Sequence, residues 1–169
     1  MASFETELTL SIGGLPPFSA RGCTQSLTPI VNGELRRTVN GELIYTGNSL
    51  HEKYKSVIKG VDKSAAAFDA IWVGAKVKVG CIQRLWQKFS GDKVVLSRDP
   101  VVGSVIAQDN TSQNIEVRSC KGRNIKLLKP VEEGYISYCP YLDMRVVDLS
   151  YATDEWGMQV SWELVLEEV

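Results

Sequence analysis

Histidine is almost missing from this chain, with His51 the only one. A Ser-His-Asp or Cys-His mechanism would have to draw its base from that residue. It sits in SLHEKY, a polar stretch where a solvated imidazole is the expectation. Metal-ligand spacing is missing too. Cys23, Cys81, Cys120 and Cys139 stand 58, 39 and 19 positions apart, with no CxxC pair, which excludes a zinc cage by spacing. They read as four free thiols, some filling strand interiors, and disulfides stay open only if the mature protein leaves the cell. No GxGxxG, GxxxxGK[ST], HExxH or EF-hand pattern occurs. Asp143 with Asp148, or Asp154 with Glu155, would be needed for paired-carboxylate chemistry. Acids at turns and strand edges are far more often surface charges than a glycosidase pair. The expectation is a protein that is no enzyme, with no catalytic, cofactor-binding or metal residues.

Long apolar runs are also lacking, and none approaches the ~20 residues of a membrane span. The opening MASFETELTLSIGG has no basic segment followed by an apolar core, so no signal peptide is expected. Neither sign of charge dominates. Lys and Arg number 19 and Asp and Glu 20, a net −1 that implies neither a nucleic acid nor an anionic membrane as partner. The expectation is a soluble protein made and kept in a cytoplasm.

What is present is ordinary globular material. With 44% hydrophobic and 23% charged residues the chain is not a disordered one. Its 169 residues form a one-domain length, which buries ~70% of the extended surface. A single β domain over 1–169 is predicted, with a subsidiary lobe or hairpin insertion over 90–134.

The most motif-like feature is a repeat: Val31-Asn32-Gly33-Glu34-Leu35 returns as Val39-Asn40-Gly41-Glu42-Leu43. Asn-Gly is the strongest short hairpin signal, because a type I′ turn needs positive φ at both central residues. Two such turns with the strand ELRRTV between them predict a three-stranded meander. A phosphate loop would require a following Lys-Ser/Thr and a helix, whereas the strand-like ELIYT follows. The repeat is architecture.

Most other segments also read as strands. Phe4, Leu8, Leu10 and Ile12 share one parity and predict a first strand ending at Gly13-Gly14. Asn48 or Ser49 can cap a short helix, SLHEKYK. SVIKGVD predicts a strand, KSAAAFDAIWVG a helical turn or packed loop anchored by Phe68, Ile71 and Trp72, and AKVKVGCIQRLWQKF one long strand. KVVLSR, VGSVIAQ, NIEVRS and NIKLLK follow as short strands, separated by turns at DNTS and KGRN. Near the C-terminus Leu142, Met144 and Val146 alternate, and then the apolar parity moves to Val147, Leu149 and Tyr151, predicting a bulge or a strand buried on both faces in turn. Met158, Val160, Trp162, Leu164 and Leu166 then alternate strictly, closing a long hairpin. The fold class predicted is all-β: an antiparallel β-sandwich or split barrel with one short helix and long hairpins.

Three surface features are candidate interfaces. Between Val117 and Val131 every charge is positive: Arg118, Lys121, Arg123, Lys126 and Lys129. These could meet an acidic partner, or protect a strand edge. The segment YISYCPY spaces Tyr135, Tyr138 and Tyr141 by three, suiting protein or sugar contact, or a core rim. Trp156 lies in the turn Asp154-Glu155-Trp156-Gly157.

The stretch YLDMRVVDLSYATDEWGMQVSWELVLEEV resembles the ending of small structural proteins from the tail and baseplate modules of long-tailed bacteriophages. RRTVNGEL, then a short helix, a KSVIKG strand and an AFDAIWVGAKVKVGC segment, is similar to their N-terminal half. The resemblance covers both ends of the chain and much less of 90–130, and it carries no site residues. It implies a virion protein of the tail tip or baseplate, like a distal tail protein. Such a protein assembles in the host cytoplasm into a ring with copies of itself and with other tail proteins. A head-tail connector, tail terminator or capsid decoration protein are the alternatives within a virion. From another class, the alternative is a carbohydrate-binding β-sandwich for host-surface adhesion through the three tyrosines.

Overall fold

The computed structural model describes residues 6–157 and 159–169. Among them the chain forms β1 (Thr9–Leu10), β2 (Thr24–Pro29), β3 (Leu35–Arg37), β4 (Leu43–Tyr45), β5 (Tyr54–Asp62), β6 (Lys76–Gly80) and β7 (Leu85–Val95). The series continues with β8 (Ile106–Asp109), β9 (Asn114–Ile115), β10 (Val117–Lys121), β11 (Asn124–Tyr138), β12 (Tyr141–Thr153) and β13 (Val160–Glu168). The architecture is all-β, with antiparallel sheets and long hairpins, one sheet curling into a half-barrel.

The first sheet has the order β1-β6-β12-β13-β5-β2. Its buried face follows from alternation: Val77, Val79, Leu142, Met144, Leu164 and Leu166 point inward, while Lys76, Lys78, Asp143 and Arg145 point out. Leu8, Ala20, Phe68 and Ile71, supplied by non-strand segments, close over that face. Trp162 is 3% exposed at the heart of this core. Its ring meets Phe68 edge-on at 5.3 Å, and its indole N–H donates to the Ser19 carbonyl at 2.8 Å. The apolar phase change in β12 is a bulge between Val146 and Asp148.

In the second sheet β11 is central. One edge pairs with β7, while the other takes β10 near its start and β8 near its end, and β9 adds to β8. Phe89, Val94, Leu96, Ala107, Ile125, Leu127, Ile136 and Tyr138 fill a separate core under it. Residues 85–138 thus carry their own sheet and their own apolar cluster.

Several local expectations need correction. AKVKVGCIQRLWQKF is not one strand: it breaks between β6 and β7 and changes sheet. The partner ribbon breaks at the same level, at Cys139-Pro140. Pro140 has no N–H to extend the ladder, and its carbonyl instead accepts from Cys81 at 3.0 Å. The first strand shrinks to two residues paired with the end of β6. Leu8 of that predicted strand is buried, whereas Phe4 and Met158 lie outside the described residues. The short helix is a single 3-10 turn, Ser49–His51, with Asn48 Oδ1 accepting from the Leu50 N–H at 2.9 Å. Tyr54 and Lys55 of the predicted helix belong to β5. In the 63–74 loop Phe68 and Ile71 are anchors, but Trp72 is 77% exposed.

The meander is a two-stranded hairpin. Only the second Asn-Gly turns the chain: Gly41 has φ +83° and donates to the Thr38 carbonyl, within the five-residue connection 38–42. The first is recruited for a crossing. The Asn32 amide donates to the Asn48 and His51 carbonyls at 2.7 and 3.1 Å, and its oxygen accepts from the Tyr45 hydroxyl at 2.7 Å. A Cβ on Gly33 would overlap the backbone of Gly47, so the two glycines let the segments cross.

All four cysteines are free thiols, with Cys81 and Cys139 buried and Cys120 exposed. Burial pushes the Cys81 thiol up to about 12, and burial also raises Cys139.

Candidate functional site: exposed hairpins

The β3–β4 hairpin is an arm. From residue 31 to residue 52 not one residue is buried. The pairs Leu35 with Tyr45 and Arg37 with Leu43 place three large apolar side chains on one exposed face. A lone two-stranded hairpin is marginally stable in water. A network at its base holds this one: the Asn32 bonds, Thr46 N–H donating to the Glu34 carbonyl at 3.0 Å, and the Gly33–Gly47 crossing. Beneath the base lies a cavity of about 550 Å³ lined by Asn32, Tyr45, Asn48, Tyr54 and Arg98 among others.

Arg98 joins the two sheets there. Its guanidinium donates to both Glu168 carboxylate oxygens at 2.8 and 3.2 Å and to the Glu52 carbonyl at 3.0 Å, and it stacks over Tyr54 at 5.6 Å. Glu168 also accepts from the Tyr54 N–H at 2.9 Å and holds Arg98 above its ordinary pKa. Its neighbour Arg123 reaches Asp99 at 3.1 Å.

The three tyrosines do not form one surface. Tyr138 is 0% exposed in the second core, its hydroxyl 2.9 Å from that of Ser97 and accepting from the Arg98 N–H. Tyr135 and Tyr141 lie in different sheets, Tyr135 exposed on β11 and Tyr141 half-buried beside Lys78. Spacing by three puts successive tyrosines on opposite strand faces, which accounts for the burial of the middle one.

The basic run is the β10–β11 hairpin, turning at Lys121-Gly122-Arg123. Arg118, Lys121 and Arg123 are exposed and Lys126 is half-buried. Arg118 sits at a bulge, between the pairs Val117–Leu127 and Ser119–Lys126. Trp156, 85% exposed, caps the β12–β13 hairpin, where the Gly157 N–H donates to the Asp154 carbonyl at 3.0 Å. Beyond Val146, no strand among the described residues pairs the outer edge of β12.

His51 ends the 3-10 turn, exposed, its carbonyl taken by Asn32. Among the described residues no group of three or more His, Cys, Asp and Glu could hold a metal ion, and no helix is long and apolar enough to cross a membrane.

Comparisons with protein-family models, curated proteins and solved structures found no match. What the chain does has to be read from its own surfaces. Sequence patterning missed several of them: Leu35, Leu43 and Tyr45 read as ordinary strand positions, and Trp72 as an anchor. Their exposure depends on which elements lie beside them, and residue type carries no signal for that.

Proposed function

We propose that this chain is a non-enzymatic structural protein of a bacteriophage tail, at the tail tip, baseplate or distal ring. It works by symmetric assembly with copies of itself and with other tail proteins. The exposed arm carries this reading: a two-stranded hairpin with Leu35, Leu43 and Tyr45 on one face and no covering element among the described residues. Such hairpins add strands or apolar anchors to a neighbour. The tail as the setting rests on the resemblance of the N-terminal half and the C-terminal hairpin to small tail-module proteins. Assembly in the host cytoplasm and residence in the virion follow from the same resemblance.

Purified virions test it. Mass spectrometry is expected to find the chain at constant stoichiometry, and electron microscopy of labelled particles to place it in a ring at the tail. Its absence from infectious particles would sink the proposal. The carbohydrate-binding alternative loses its platform, because Tyr138 is core.

A further inference from the structure

We propose that copies of this chain associate head to tail: the acidic, Trp156-bearing tip of β12–β13 on one copy docks on the basic outer face of β7, β11 and β10 on the next. This deepens the assembly reading and rests on it.

The first observation is segregation of charge. Net charge is −1, yet residues 117–131 carry only basic charges and residues 146–169 contain no Lys, Arg or His. The second is where the fold puts these stretches. The basic one lies in the second sheet and the acidic one in the first, so each copy presents both a donor and an acceptor surface.

Arg123 at the turn has Asp99 at 3.1 Å, but the middle of the basic face has no acid opposite it among the described residues. Strand register sets Lys93 directly opposite Lys126, with Ser119 next across, and no acid stands in that row. Like charges directly opposite are unfavourable. Lys59 meets Glu163 at 3.4 Å and Lys88 meets Glu133 at 2.6 Å across their strands, and the other like-charged pair, Lys76 opposite Arg145, lies in the first sheet. Lys121 extends the same face, and Val95, 65% exposed, gives it apolar area.

The tip is its complement. Asp154, Glu155 and Trp156 are all exposed on one turn, joining acidic groups to the residue type most enriched among interface anchors. Acid meets lysine at the rim while Trp156 lies against Val95. Two different patches make a heterologous contact, which closes into a ring or propagates as a filament, and does not stop at a two-fold dimer.

Sedimentation of the full chain across concentration and salt tests this. Wild type is expected to self-associate, less so as salt screens the contact. Lys126→Glu and Glu155→Lys should each weaken association about tenfold or more, with circular dichroism unchanged. Mixing the two variants should restore it, because the reversed face meets the reversed tip while the other contact remains native. Trp156→Ala should weaken association and leave its salt dependence intact. A wild type that stays monomeric at low salt overturns the proposal, as do single variants that associate normally or a mixture without rescue. If Lys126→Glu abolishes binding of a single-stranded oligonucleotide and leaves self-association unchanged, the face serves nucleic acid instead. A chain found in virion rings but failing these tests retains the tail assignment and loses only this contact.

Discussion

Trp162 shows how much rests on single side chains. The tryptophan covers Gly60 so closely that a Cβ there would overlap its ring, and it holds Phe68 and the Ser19 carbonyl in place. Trp162→Ala is expected to cost about 3–5 kcal/mol, read as a lower denaturation midpoint at unchanged m-value. A loss of assembly with full stability would show instead that the side chain serves an interface. Asp62 is held at the other end of the same core. Arg21 donates to its carboxylate at 2.7 and 3.1 Å, with backbone N–H groups of Arg21 and Lys63 adding to it, and the Arg21 bond above all keeps its pKa well below the usual carboxylate range. The unfolded carboxyl titrates near ~4. The pair's stabilisation is therefore complete above that pH and is lost as pH falls from there toward the native pKa. Asp62→Asn should be less stable at neutral pH, with a shallower decline in acid; equal acid slopes for both proteins would refute the linkage. At this scale strand alternation was legible and loops were not: Ile71 and Trp72 are chain neighbours of similar hydrophobicity, one buried and one exposed, and no periodicity separates them.

Among the elements, the twice-written VNGEL illustrates why local signals are insufficient. Both copies can turn, but only Gly41 does, because Asn32 finds the Asn48 and His51 carbonyls and the Tyr45 hydroxyl within reach. The arm that results contributes no buried residue. Replacing residues 34–46 with a short flexible linker should shift the thermal midpoint by little, since surface changes stay within about 0.5 kcal/mol, while tail completion in a complementation assay fails. A large stability loss would mean that the arm supports the monomer. The split of AKVKVGCIQRLWQKF is of the same kind: its alternation is real, and the proline that ends its ladder is Pro140, distant in sequence, at the break between β11 and β12.

For the whole molecule, two apolar clusters under two sheets must unfold as one or as two units. Arg98 and Glu168 tie them, with side chains only 19% and 8% exposed. Arg98→Ala leaves a carboxylate with little water and one backbone donor, a loss of up to about 3 kcal/mol after allowing for partial exposure. It should also separate the unfolding of the two sheets, so that Trp162 fluorescence, in a variant lacking the exposed Trp72, Trp86 and Trp156, melts apart from the far-ultraviolet signal. Coincident transitions would show that the junction at Pro100 and Pro140 suffices alone.

The sequence by itself determined the all-β class, the C-terminal hairpin, and the inward residues of long strands. Those follow from period-two burial and turn chemistry, which act within a few residues. Tertiary structure alone decided that Tyr138 is core, that Trp72 and the β3–β4 arm are bare, and that Lys93 faces Lys126. Each depends on which distant strand lies alongside, and that choice is made by packing and ladder completion across the whole chain.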